Sequence, residues 1–107
     1  MDDRTHNGWA NYETWVVNLW LDNEEGIHDY WREQARHQWQ IATATSYSTR
    51  EEEALQALVD ILKDDHEEES PELTGVYCDL LKAALEEVNW REIAVHFMDT
   101  VDKSEDE

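Results

Sequence analysis

The chain has 107 residues, a length typical of one domain that can bury a core without disulfides or metal ions. Its formal net charge of -19, from 27 acidic residues against eight Lys and Arg, opposes binding to nucleic acid or anionic membranes and favours basic partners. Six tryptophans and four tyrosines give it more to bury than a disordered acidic segment has, so we expect a folded protein.

A single cysteine, Cys78, excludes an intrachain disulfide, and no apolar run approaches membrane-spanning length. We therefore expect one soluble, cytoplasmic domain over residues 1–107, with flexible ends at 1–8 and 102–107. A globule of this length has an expected radius of gyration of ~13 Å, or a width of ~33 Å.

The first predicted helix covers residues 11–21, with Asn11 as N-cap, and is expected to be the main supplier of the core. Its apolar stripe is Tyr12, Trp15, Val16, Leu19 and Trp20. Trp9, outside this helix, is the tryptophan that we expect to be most exposed. Asn and Gly in residues 22–26 then tolerate the left-handed geometry that ends helices.

A second, longer helix is predicted from Ile27, with the apolar positions Ile27, Tyr30, Trp31, Ala35, Trp39 and Ala42. The hydroxyl-rich residues 43–49 indicate a loop. Thr49 and Glu52 have the spacing of a capping box, so a third helix should start there. Its inner face is Ala54, Leu55, Leu58, Val59 and Leu62, and it should end in the acidic run from Asp64.

Pro71 suits the first turn of a fourth helix, with Glu72 near its positive end. This helix is expected to bury Leu73, Val76, Tyr77, Leu80, Leu81, Ala84 and Leu85. Asn89 and Glu92 mark the start of a fifth helix, which buries Trp90, Ile93, Ala94, Phe97 and Val101. The sequence therefore predicts an all-α, compact bundle of about five helices.

The segment Asn11-Tyr12-Glu13-Thr14-Trp15, continued by residues 18–24, resembles a family of small uncharacterised proteins of bacteria, phages and other mobile elements. Residues 71–77 and 89–94 extend the resemblance, which covers most of residues 8–98. The family has no settled activity, so the resemblance implies no functional residue. It does imply a phage or mobile-element setting, where small acidic proteins that block host defence nucleases recur.

Motifs for catalysis, phosphate binding or paired cysteines are absent from the sequence. Glu33 and His37, four residues apart on one helix, could form a base and its partner or two metal ligands, but a solvated contact is the more common outcome. We expect a non-enzymatic protein with no catalytic, cofactor or metal site. The tryptophans lie on predicted apolar faces, and a stacking platform for single strands would also need a basic track.

Acidic residues instead fall into groups, of which residues 51–72 form the densest and residues 24–33 the second. A third group covers residues 99–107. Duplex DNA carries one phosphate charge per ~1.7 Å, so a charge of -19 corresponds to ~32 Å of duplex, provided that it is placed on one side. The predicted partner-binding residues are Glu51, Glu52, Asp60, Asp64, Asp65, Glu67, Glu68, Glu69, Glu72, Glu24, Glu25 and Asp29.

The leading hypothesis is a DNA-mimic inhibitor that blocks the DNA- or RNA-binding site of a host defence nuclease of the restriction or CRISPR type. The alternative is a small acidic adaptor or antitoxin-like module that binds a basic protein surface, anchored by groups such as Trp9 and Tyr47, and that could form a homodimer. A third interpretation attributes the charge to solubility in a salt-rich cytoplasm, with no partner.

Overall fold

Residues 5–103 of the computed structural model form five helices joined by short connections. In chain order these are α1 (Tyr12–Asn23), α2 (Glu25–Ile41), α3 (Arg50–Glu69), α4 (Gly75–Glu87) and α5 (Trp90–Met98). The described residues form no sheet, and the isolated bridge between His6 and Trp9 closes a tight turn before α1. The all-α prediction is confirmed. Predictions about residues 1–4 and 104–107 lie outside the described range.

The core is built by α2, α3 and α5, each of which packs against the other two. Ala54, Leu58 and Leu62 of α3 are buried as predicted, because their spacing puts them on one helical face. The predicted face of α5 is likewise buried at Trp90, Ile93, Ala94 and Phe97. From α2, the buried residues are Trp31, Ala35 and Trp39.

The prediction that α1 supplies most of the core is wrong. Its buried residues are Thr14, Asn18 and Leu21, whereas Tyr12 and Trp20 are 55% and 70% exposed. At 100° per residue, Tyr12 and Trp20 project from the side of α1 opposite to its buried residues. Trp9, expected to be the most exposed tryptophan, instead packs against the core, with its ring edge-on to His96 at 5.5 Å between centroids.

Helix α3 continues through the acidic run to Glu69 instead of ending near Asp64. His66 explains part of this extension, because its ring lies between the Trp31 and Trp90 rings. The helix ends at Ser70, which adopts the extended geometry favoured before a proline. Pro71 therefore lies in a linker and not in the first turn of α4, which begins at Gly75 with φ +62°.

Helix α4 lies at the edge of the bundle, and its main contacts are with α1. None of its residues is buried, which contradicts the predicted inner face: Val76, Tyr77 and Leu80 are exposed, as is Leu73 before the helix. Leu85 does pack against the core. The peripheral α4 is consistent with a radius of gyration of 15.2 Å, larger than the ~13 Å expected for a chain of this length.

A hydrogen-bonded network joins the start of α1 to the start of α5. The Asn11 side chain caps α1 by accepting from the Thr14 amide at 2.9 Å and donates to the Glu87 carbonyl at 2.6 Å. The Thr14 hydroxyl donates to Asn11 Oδ1 at 2.6 Å and accepts from the Asn89 amide at 2.8 Å. Asn89 in turn caps α5 by accepting from the Glu92 amide, as predicted. We call these five residues the Asn11–Asn89 network.

Of two further junctions, the start of α3 was predicted correctly and the break between α1 and α2 was not. Thr49 accepts from the Glu52 amide at 3.1 Å and caps α3 as expected. The break between α1 and α2 is a single extended residue, Glu24, with φ -99°, and involves no left-handed residue.

Candidate functional site

The acidic surface is built mainly on α3, which carries nine of the acidic residues and only two bases, Arg50 and Lys63. The exposed residues Asp60, Asp64 and Glu67 lie within ~60° of one another around the helix, opposite Leu58 and Leu62. Their side chains therefore project away from the core. We call these three residues the α3 stripe. At 1.5 Å per residue it rises ~10 Å along the helix axis.

A second acidic feature is a cavity of about 540 Å³ where the start of α2 meets the end of α3. Glu24, Asp65 and Glu69 line it, together with apolar groups that include Ile27, Tyr30 and Trp31. We call it the acidic cavity. The structure thus brings together members of the first and second predicted acidic groups. Glu25 and Asp29 are exposed on the first turns of α2, at the same end of the bundle.

Several predicted residues lie elsewhere. Glu51 and Glu52 are in the first turn of α3, ~20 Å along its axis from Asp65. Glu52 is engaged in an ion pair, because Arg91 Nη2 donates to its two carboxylate oxygens at 2.9 and 2.8 Å. Glu72 is exposed in the linker before α4. The twelve predicted residues therefore do not form one continuous face.

The third predicted acidic group is partly balanced by basic side chains. Asp102 lines a cavity of about 370 Å³ together with Arg32 and Arg36, and Arg36 also bonds to Glu33 at 3.2 Å. Glu105, Asp106 and Glu107 of this group lie outside the described residues. The C-terminal half of α3 carries more acids, although Lys63 and Lys82 line a cavity together with Glu67.

This charge opposes the local stability of α3. A helix C-terminus carries partial negative charge, and each acidic side chain near it is destabilising. The last two turns nevertheless hold Asp64, Asp65, Glu67, Glu68 and Glu69. The basic residue among them, His66, is half-buried and its Nδ1 lies 2.8 Å from the Leu62 carbonyl oxygen. Placing five acids here favours a role for the charge itself.

A cluster of polar groups that sequence reasoning missed lies where α1, α2 and α5 meet. The Asp22 carboxylate accepts from Asn18 Nδ2 at 2.8 Å, and its oxygens lie 3.4 Å from His28 Nε2 and 3.1 Å from His96 Nε2. Because the two histidines are far apart in sequence, no local spacing signals the contact. The described residues include no group of three His, Cys, Asp or Glu side chains placed to hold a metal ion.

The profile of a family of unknown function (DUF7249) matches residues 2–106. The chain belongs to this family. Neither a search of curated proteins nor one of solved structures finds a match. The motif Asn11-Tyr12-Glu13-Thr14-Trp15 acquires a structural explanation in this family member, since its Asn and Thr belong to the Asn11–Asn89 network.

A further surface, on α4, is exposed and apolar, unlike the acidic regions. Val76, Tyr77 and Leu80 of α4 are 62%, 68% and 61% exposed, and we call them the α4 face. Sequence reasoning placed them in the core, because an amphipathic stripe predicts a helix but does not show what covers it. Among helices α1–α5, none is long and apolar enough to cross a membrane.

Proposed function

We propose that this protein is a non-enzymatic acidic inhibitor of the DNA-mimic type, which blocks the nucleic-acid site of a host defence nuclease of the restriction or CRISPR type. The observation that carries the proposal is the α3 stripe, three exposed carboxylates that project from one side of a long helix. The acidic cavity is a separate negative surface on another face of α3, because Asp65 and Glu69 lie ~140° and ~180° from Asp60 around the helix. The mobile-element setting comes from the sequence resemblance.

The spacing of the stripe is wider than that of DNA phosphates and limits any mimicry to a short stretch. Asp60, Asp64 and Glu67 follow one another at a mean axial distance of ~5 Å, against ~3.4 Å for the phosphates of one strand. The 49 Å length of the protein would correspond to ~29 phosphate charges of duplex, more than the formal charge of -19 supplies. A match is therefore closest along α3, and the proposal is limited to that helix.

Nucleic-acid sites hold phosphates with Arg and Lys side chains, which bond to carboxylates by the same charge-assisted hydrogen bonds. A negative stripe also attracts a basic groove over a distance and so raises the association rate. Both effects weaken as salt rises, because free ions screen exposed charges.

The test is competition with DNA. DNA cleavage by a panel of purified restriction enzymes and RNA-guided nucleases is measured with increasing amounts of the protein. In a stripe variant, Asp60→Asn, Asp64→Asn and Glu67→Gln, we expect inhibition of the susceptible nuclease to weaken at least about tenfold, the effect of 1.4 kcal/mol. A control variant, Glu13→Gln, Glu33→Gln and Asp99→Asn, changes the net charge equally at places outside α3 and should inhibit like the native chain.

Equal loss of inhibition in the two variants would show that net charge acts without the stripe. Full inhibition by the stripe variant, or a panel with no susceptible nuclease, would contradict the proposal.

A second candidate function is an adaptor or antitoxin-like module on a basic protein surface. Tyr47 favours it, because this loop residue is 97% exposed and free to fill a pocket of a partner. Trp9, the other anchor suggested by the sequence, packs against the core and is not available in the same way. For this function Tyr47→Ala should weaken partner binding more than the stripe variant does.

A further inference from the structure

The α4 face leaves three large apolar side chains exposed on a helix that already lies at the edge of the bundle. Val76 and Leu80 are four residues apart and therefore adjacent on the helix surface, with Tyr77 beside them. Exposed apolar groups scattered singly are ordinary, whereas three neighbouring ones on one helix offer a small apolar surface that a partner could cover. The opposite side of α4 points inwards, where Leu85 packs against the core.

Acidic residues border this apolar face. Asp79, Glu86 and Glu87 are exposed on the same helix. Asp79 lies ~60° from Val76 around the helix, and Glu87 lies ~20° from it. Lys82, the single basic residue of α4, instead lines the cleft between α3 and α4 with Lys63 and Trp90. An occupant of the α4 face would therefore meet apolar groups in the middle and negative charge at the edge.

These properties argue against a second copy of the chain. Two copies paired symmetrically through α4 would bring the same acidic borders together, and like charges repel. The 13 residues of α4 form a helix ~20 Å long and ~10 Å wide. One such face offers ~200 Å², well below the ~800 Å² per partner of a stable interface. An additional contact within a larger complex, with a partner of opposite charge, fits both observations.

We propose that the α4 face binds a cationic amphipathic helix of the partner protein, with apolar residues on one side and Lys or Arg on its flanks. One helix lying along another fits a stripe of residues four apart, at the usual interaxial distance of ~8–10 Å. The inference rests on the proposed function for the existence of a basic partner. It adds an apolar contact to the electrostatic one made by α3.

The probe is a labelled synthetic helix of 16 residues with leucines at helical spacing and lysines and arginines elsewhere. Its binding to the full chain is followed by fluorescence anisotropy in 0.15 M salt. We expect Val76→Ser with Leu80→Ser to weaken binding at least about tenfold. Asp79→Lys should also weaken it, because it removes one attraction and adds a repulsion. Ile41→Ser, which changes an exposed apolar residue at the end of α2, should leave binding unchanged.

Three results would overturn the inference. The first is equal binding of a scrambled peptide with the same composition but no apolar stripe, since charge alone would then explain the affinity. The second is unchanged binding in the Val76→Ser, Leu80→Ser variant, whose helical circular dichroism confirms folding. A dimer of the chain that disappears in this variant on sedimentation would assign the face to a second copy and also overturn it.

The peptide assay contains no nuclease, so its failure leaves the competition experiment with the stripe variant intact. Conversely, if no nuclease is inhibited but the peptide binds through α4, the proposed function fails while the α4 face remains a cationic-helix site.

Discussion

Removal of the Thr14 hydroxyl should destabilise the protein strongly, although Thr14 is remote from the acidic surface. Thr14 is fully buried, and its hydroxyl both donates to Asn11 Oδ1 and accepts from the Asn89 amide. In Thr14→Val the side chain keeps its shape and loses both bonds. The Asn89 amide, at the start of α5, then has no acceptor in the space that the hydroxyl occupied.

The expected loss follows from these contacts. Each hydrogen bond contributes ~1 kcal/mol net, and a buried donor left without a partner costs ~1–3 kcal/mol. The free energy of unfolding should therefore fall by ~2–4 kcal/mol in Thr14→Val, out of a total of ~5–15 kcal/mol for a typical domain. Thr14→Ser keeps the hydroxyl and removes one methyl group, so its loss should be nearer ~1 kcal/mol.

Urea unfolding followed by circular dichroism measures the free energy of unfolding of the native chain, Thr14→Val and Thr14→Ser. The exposed Thr43→Val is the control for the same chemical change. Thr43→Val should lie within ~0.5 kcal/mol of the native chain. If Thr14→Val and Thr14→Ser lose the same amount, the methyl group and not the hydroxyl is responsible, and the network does not couple α1 to α5 as described.

Two further predictions concern α3. Arg50 donates through Nε and Nη2 to the Trp39 carbonyl at 3.1 and 2.7 Å and lies 4.0 Å from the Trp39 ring centroid. Arg50→Lys should therefore lower the free energy of unfolding, measured in urea, by ~1–2 kcal/mol. The control Arg36→Lys, at the exposed surface, should leave it unchanged. Glu68→Gln with Glu69→Gln should raise the midpoint of thermal unfolding, because each removes a negative charge at the negative end of the helix, at ~0.3–1 kcal/mol per charge. The gain should shrink in 1 M NaCl, and a lower midpoint would contradict the helix-dipole argument.

Sequence patterns predicted the helices best where one face meets a continuous core. Helices α3 and α5 each bury residues at helical spacing, and polar caps mark their starts at Thr49 and Asn89. The pattern failed for α4 because an apolar stripe on a peripheral helix looks the same as one in the core. Pro71 misled in a similar way, since it suits the first turn of a helix and an extended linker equally.

The candidate site was predicted in part. Acidic density along the sequence located the C-terminal half of α3, because neighbouring residues stay close on a helix. This density gave no information on Arg91, which lies 39 positions from Glu52 in the chain and donates to its carboxylate. Nor could it place Glu24 and Asp65 around one cavity, because their positions depend on how α2 and α3 pack. The contact of Asp22 with His28 and His96 depends on tertiary packing for the same reason.

The lack of buried side chains in α4 also affects how the native protein opens. A helix held mainly by α1, and by the bond from Asn11 to the Glu87 carbonyl at its last turn, can detach while exposing only the part of the core that Leu85 covers. Its amide hydrogens should then exchange with solvent through local opening, whereas those of α3 and α5 should exchange only on global unfolding. A ligand on α4 would stabilise only the closed state, so slower exchange confined to residues 75–87 would report its binding directly.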